Sequence, residues 1–217
     1  MKASVYAILF SIIVLSGCED LDGPEIRGSE NIISESRELD SFESIHISSV
    51  INAIIEQGDQ VVSVQANDNI IDLINTEVRD NVLYIDLEDG NYDDISITVS
   101  ISNRELTALT TVGVNTVQID QFNDLAQFDL NIEGVGNIQM SGSAKRVAIN
   151  SSGSSNLEAF DFTCLHCEID LTGVGNVQIT VTEELVGALS GVGNILYKGS
   201  PEIDVDVTGV GNVVNSN

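Results

Sequence analysis

Tryptophan is absent from the 217 residues, and the aromatic content is four Tyr and six Phe. This leaves little from which to build a sugar-stacking platform. Two histidines are too few for a His-rich metal site or for catalysis that depends on several His bases. Eight Lys and Arg stand against 34 Asp and Glu, for a net charge of −26. That balance excludes nucleic acid as a partner, because phosphate binding needs basic side chains, and equally excludes a basic patch for anionic lipid headgroups. Long apolar runs are also missing. The longest, Val5 to Leu15, is broken at Ser11 and is too short for a bilayer core of ~30 Å. Prolines number two, and 42% of residues are hydrophobic, so the chain is not a disordered acidic tail.

Lys2 is the one charge before the apolar run, and the run ends in Leu15-Ser16-Gly17-Cys18. The order charge, short apolar stretch, small residues and cysteine resembles the signal and lipobox of bacterial lipoproteins. The resemblance implies cleavage before Cys18, lipidation of its thiol and anchoring to a membrane by buried acyl chains. Glu19, Asp20, Asp22 and Glu25 follow. Acidic residues there resemble an export signal to the face of the outer membrane, so an outer-membrane, surface-exposed lipoprotein is expected. Residues 1–17 are read as signal peptide and 18–40 as a flexible acidic tether.

The body repeats. Gly-Val-Gly-Asn stands at 134–137, 173–176, 191–194 and 209–212, with degenerate copies at Val112–Asn115 and Gly153–Asn156. The asparagines Asn115, Asn137, Asn156, Asn176, Asn194 and Asn212 are spaced by 22, 19, 20, 18 and 18 residues. Between them apolar residues alternate, as in Ile138 and Met140 or Val177, Ile179 and Val181, which is the period of half-buried strands. A unit this short cannot bury its own apolar face, so units must stack. The expectation is an all-β protein, a β-solenoid of 18–22-residue coils forming two parallel sheets around a thin core. Gly134, Gly136, Asn137, Gly173, Gly175, Asn176, Gly191, Gly193, Asn194, Gly209, Gly211 and Asn212 form its tight corners. The intervening valine is expected to point inward, and the asparagines to form an amide ladder. The opposite corner is looser: Ser141–Ser143, Thr182–Glu184, Lys198–Pro201. A phosphate loop would need a following helix and lysine, and calcium-binding nonapeptides an Asp after the glycines; neither is present. Only Val213–Asn217 follow the last repeat, so an unpaired strand edge and an edge-mediated homo-oligomer are expected.

Residues 40–110 are also strand-like, with a hairpin turning at Asp80-Asn81 and one short helix near 68–75 capped by Asp68. They are read as starting the solenoid and covering its first coil. The run Phe42, Ile45, Ile47, then Glu56–Asp59, Val62, Val64, Ala66–Asn69, Leu83 and Ile85, followed by glycine–asparagine repeats, resembles the head GIN domain family of auto-transporter adhesins. The resemblance spans about 40–217, with a covering part 41–110 and a repeat part 111–217. It implies a right-handed, pectin-lyase-like β-helix and a role in cell adhesion, and brings no set of functional residues.

Chemistry is sparse. Cys164-Leu165-His166-Cys167 leaves three readings open: free structural cysteines facing opposite sides of a strand, a disulfide, or a metal or redox pair. Asp89–Asp94 reads as a solvated hairpin turn, lacking the Gly and Glu of a calcium loop. His46 is read as a surface residue, and Lys145-Arg146 as isolated at a corner. No metal or cofactor is expected. The function expected is a non-enzymatic, lipid-anchored envelope protein with an adhesive or scaffolding surface for a glycan or protein ligand. The alternative is a carbohydrate-binding or carbohydrate-active envelope protein on the same scaffold.

Overall fold

The computed structural model describes residues 24–217, so the signal segment and Cys18 lie outside the described residues. Seventeen strands follow in order: β1 (Ile26–Arg27), β2 (Ile32–Arg37), β3 (Ser44–Ile47), β4 (Val50–Gln57), β5 (Val61–Asn67), β6 (Ile74–Arg79), β7 (Val82–Leu87), β8 (Tyr92–Asp93) and β9 (Ile97–Asn103), then β10 (Ala108–Thr111), β11 (Val114–Ile132), β12 (Val135–Ser151), β13 (Ser154–Leu171), β14 (Val174–Leu189), β15 (Val192–Lys198), β16 (Glu202–Val207) and β17 (Val210–Asn215). The one helical turn among the described residues is a 3₁₀ segment at Ile71–Leu73.

The expected β-solenoid is present, with about five turns stacked roughly 20 residues apart. One sheet, face A, stacks β3, β10, residues 129–132, 148–151, 168–171 and 186–189, and β16, all parallel. Face B stacks β4, residues 114–120, 135–139, 154–159 and 174–180, β15 and β17. The alternation seen in the sequence fills the space between them. Ile138, Met140, Ile149, Leu157, Ile169, Val177, Ile179, Leu185 and Ile195 are buried in one continuous core. Parallel strands covered on their inner side need this alternation, because a polar residue at an inward position would lose its hydrogen bonds to water.

The first coil is β3 and β4, and the chain departs from it before returning at β10. The intervening strands cover that coil: β9 pairs β4 and β5 pairs β9, while β7 pairs β3 and β6 pairs β7. The β6–β7 hairpin turns at Asp80 and Asn81, both with positive φ, as the Asp-Asn pair suggested. At the other end β16 and β17 each pair on one side only among the described residues. No residue beyond Tyr197 is fully buried.

Three expectations are corrected here. The stretch read as a flexible tether joins the fold from Ile26: β2 pairs antiparallel with β5, and Ile26, Ile33 and Leu39 pack against the core. Asp68 does not cap a helix. Its carboxylate accepts from Ser29 Oγ at 2.5 Å and Asn31 Nδ2 at 2.9 Å, bonds that hold it below the usual carboxylate range. With Asn67 donating to the Ser29 carbonyl and Asn69 to that of Arg27, the Asn67-Asp68-Asn69 run clamps the N-terminal segment. Asp89–Asp94 is not a hairpin turn either. It carries the chain from β7 on face A to β9 on face B, and Tyr92-Asp93 pairs with Ile26-Arg27. The Arg27 guanidinium sits 3.1 Å from Asp94 and 3.8 Å from Asp93.

Candidate functional site

The tight corners carry the repeated motif. In each coil two residues separate the end of a face A strand from the start of a face B strand: 112–113, 133–134, 152–153, 172–173, 190–191 and 208–209. Residues 48–49 do the same in the first coil, so Ser49-Val50-Ile51-Asn52 is a further copy that the sequence pattern did not reveal. Backbones here stack with almost no clearance. A Cβ built on Gly175 (φ +145°) would collide with the Ser155 carbonyl oxygen, and one on Gly193 with that of Gly175. The asparagines form the expected ladder from Asn137 to Asn212. Asn194 Nδ2 donates to Asn176 Oδ1 at 3.0 Å, and the Asn212 amide to Asn194 Oδ1 at 3.2 Å.

Asn115 is not in that ladder. Thr116 pairs with Asn137, and Asn115 with Gly136. Its buried amide instead donates to the carbonyls of Ser49 and Ile51 at 3.2 and 3.1 Å. The valines are a second correction. Val50, Val114, Val135, Val174, Val192 and Val210 are 49–71% exposed rather than inward. Each sits next to an inward residue on a strand, and successive strand residues face opposite sides.

A second surface lies on face A. Gln127, Arg146, His166 and Glu184 occupy one row across four successive coils. With Asp129, Ala148, Glu168 and Val186 in the adjoining row they line an open groove of about 370 Å³. The His166 ring lies between two carboxylates, Nε2 3.4 Å from Glu183 and Nδ1 3.5 Å from Glu184. Arg146 is exposed on the sheet face, not set apart at a corner. The groove can offer a guanidinium, an imidazole and carboxylates to a polar ligand.

Cys164 and Cys167 both face the core, each 1% exposed. The expected opposite orientation fails because the register against β14 shifts between Cys164 and His166, where the strand rounds the looser corner. Cys164 Sγ donates to the Thr180 carbonyl at 3.6 Å. The hydrogen bond with Cys164, together with burial, pushes the Cys167 thiol well above its ordinary range. Such a thiol is a poor nucleophile. Among the described residues no three His, Cys, Asp or Glu side chains gather as a metal site. His46 stacks on Tyr84 at 5.3 Å between ring centroids, and Arg79 lies 4.2 Å over the Tyr84 ring.

The architecture, stacked coils closed by glycine corners and covered at one end, is that of a known group. The family model described as "Putative auto-transporter adhesin, head GIN domain" matches residues 41–201. The chain belongs to this family. Membership implies a cell-envelope or surface protein whose surface binds a ligand. Among solved structures, an adhesin from Bacteroides fragilis (titled putative) is 26% identical, with a TM-score of 0.73 over 88% of this chain and 100% of that one. A protein from Parabacteroides distasonis titled a putative lipid binding protein is 21% identical, with a TM-score of 0.54 over 88% of this chain and all of the other. A putative adhesin from the same organism is also 21% identical, with a TM-score of 0.50 over 89% of this chain and all of the other. The last two likenesses speak to the fold alone. No curated protein matches the chain.

Proposed function

We propose that this family member is a non-enzymatic, lipid-anchored protein of the outer membrane, displaying its solenoid as an adhesive or scaffolding surface. The observation that carries the reading is the family match across 41–201 on a scaffold that presents ordered rows of polar side chains, Gln127–Arg146–His166–Glu184 on face A and the asparagine ladder at the tight corner. The Leu15–Cys18 motif supports the anchor, and the acidic residues after it support export toward the surface. The described fold begins a few residues beyond Cys18, so an acylated cysteine would hold the covered end of the solenoid near the membrane and present the last coils outward. The test has two parts. Cys18→Ala should move the protein out of the membrane fraction, and cells displaying the intact protein should adhere to a target surface more than cells displaying none. Retention of the variant through a high-salt wash would reject the anchor; equal adhesion would reject the adhesin role.

A glycan ligand on the same scaffold is the second reading, favoured by the groove that sets Arg146 and His166 beside Asp129, Glu168 and Glu184. Binding of one defined glycan on an array, lost in Arg146→Ala, would support it. Cleavage of that glycan would overturn the non-enzymatic assignment.

A further inference from the structure

The acidic residues are not spread evenly. Five positions around each tight corner, 48–52, 112–116, 133–137, 152–156, 172–176, 190–194 and 208–212, include a single charged residue, Glu133. The rest of the chain holds the other 33 carboxylates. Along the middle of this uncharged band runs a line of side chains in strict register: Val50, Val114, Val135, Ser154, Val174, Val192 and Val210. The six valines are about half exposed or more, with Val210 at 71%. On one side they are flanked by Ser48, Val112, Glu133, Ser152, Thr172, Ser190 and Thr208, of which Glu133 alone is charged, and on the other by the uncharged asparagine ladder. With rungs ~4.8 Å apart the ridge is about 29 Å long.

Half-exposed valine at six of seven rungs is not needed by the corner. The glycines already satisfy its geometry, Ser154 occupies the same place in one coil without disturbing the stack, and exposed contiguous apolar side chains mark contact surfaces. We propose that this valine ridge is a homotypic seam, along which two copies of the chain pack side by side and antiparallel. Two observations favour a second copy over any other occupant. Copies carrying −26 each repel where their carboxylates meet, and the ridge row itself holds no carboxylate at any of its seven rungs. The comb also has the pitch of the β-stack itself, so a second copy matches it rung for rung under a two-fold axis. A strip this narrow falls short of the ~1,600 Å² of a standard stable interface, so the seam is weak and is read by covalent trapping.

The geometry makes a specific test. In an antiparallel seam the central rung meets itself, and the central rung is residue 154. Single cysteines are placed in the full-length chain, and dimers are trapped by mild copper–phenanthroline oxidation in whichever cell fraction holds the protein. Failure of the anchor therefore cannot pass for failure of the seam. Ser154→Cys should give a dimer band several-fold above wild type. Val50→Cys and Val210→Cys should each give none alone and a mixed dimer when co-expressed. Adding Val174→Asp and Val192→Asp to Ser154→Cys should abolish the band while leaving the circular dichroism spectrum unchanged. The seam is overturned if Ser154→Cys links no more than Glu168→Cys on face A, as it would if a lipid or glycan covered the ridge. It is overturned too if Val210→Cys self-links while Ser154→Cys does not, which would put the contact at the edge of the last coil.

Discussion

The two corners of each coil obey opposite rules. Between register-aligned positions, from face A to the next face B strand, the chain always takes six residues: 44 to 50, 108 to 114, 129 to 135, 148 to 154, 168 to 174, 186 to 192 and 204 to 210. From face B back to face A it takes 15, 13, 14, 12 and 12 residues, counted from 114 to 129, 135 to 148, 154 to 168, 174 to 186 and 192 to 204. All the length variation of the repeat lies on one side. The segment covering the first coil, between Gln57 and Ala108, is inserted at that same side. Glycine corners hold stacked backbones too close for a Cβ, so nothing can be added there. The long corner absorbs extra residues as bulges, with Gln121 and Asp124 at positive φ and register shifts in β11 and β13.

The largest expected effect attacks the tight corner directly. Gly175→Val meets the Ser155 carbonyl and a φ of +145° at once. Strain and steric displacement together should cost ~3 kcal/mol or more. Its neighbour Val174→Ile should be nearly neutral, because Val174 is 53% exposed and the added methylene enters solvent. Urea melts of the pair decide the matter, and equal midpoints would show that the corner is not close-packed.

Next in size is the insertion of one glycine. Placed between Thr172 and Gly173, it forces the following strand to turn its apolar face outward or to bulge beneath the ladder, with an expected loss of ~2 kcal/mol or more. Placed between Thr182 and Glu183 it lengthens a corner whose coil is among the shortest, and loop closure adds only a few tenths of a kcal/mol, well under ~1 in all. Thermal melts that drop equally for both insertions would erase the distinction between the corners.

A smaller change removes one rung of the ladder. Asn176 Oδ1 accepts from the Asn194 amide at 3.1 Å and from its Nδ2 at 3.0 Å. Asn176→Ala should cost about 1 kcal/mol, the net worth of one or two such bonds at a half-buried site. A loss as large as that of Gly175→Val would move the main constraint from backbone clearance to the amides.

The same contrast explains what the sequence could tell. Repeats and strands were legible because the tight corner tolerates few residue types and the inward positions alternate. The outward valines were legible too, by parity: if Ile138 and Met140 point inward, Gly136 does and Val135 does not. Parity also separates Asn115, which shares the inward phase of Val117 and Ile119, from Asn137, which precedes the inward Ile138. The face A groove was not legible. Aligning Gln127, Arg146, His166 and Glu184 needs the register beyond the long corner, where spacing varies from coil to coil. The clamp at Asn67–Asn69 escaped for a similar reason, since its partners Arg27, Ser29 and Asn31 lie far away in sequence.

The smallest expected effect tests the long corner through its thiols. The shift between Cys164 and His166 turns both cysteines inward, and the hydrogen bond with Cys164, then burial, raises the Cys167 thiol well above its ordinary 9.0. Below that value the thiol is protonated in the folded and the unfolded chain alike, and stability is intact. Above it the unfolded chain releases a proton that the folded chain keeps, so stability falls by up to ~1.4 kcal/mol per pH unit until the raised folded value is reached. Cys167→Ala lacks this term. In reducing buffer the variant should be less stable than its parent at neutral pH, because a buried sulfur leaves a small cavity, and the gap should narrow between pH 9 and pH 11. The other side chains are common to both proteins and cancel in the difference. Parallel stability curves across that range would mean that Cys167 reaches water in the folded chain, and that the long corner is open where the stack requires it to be closed.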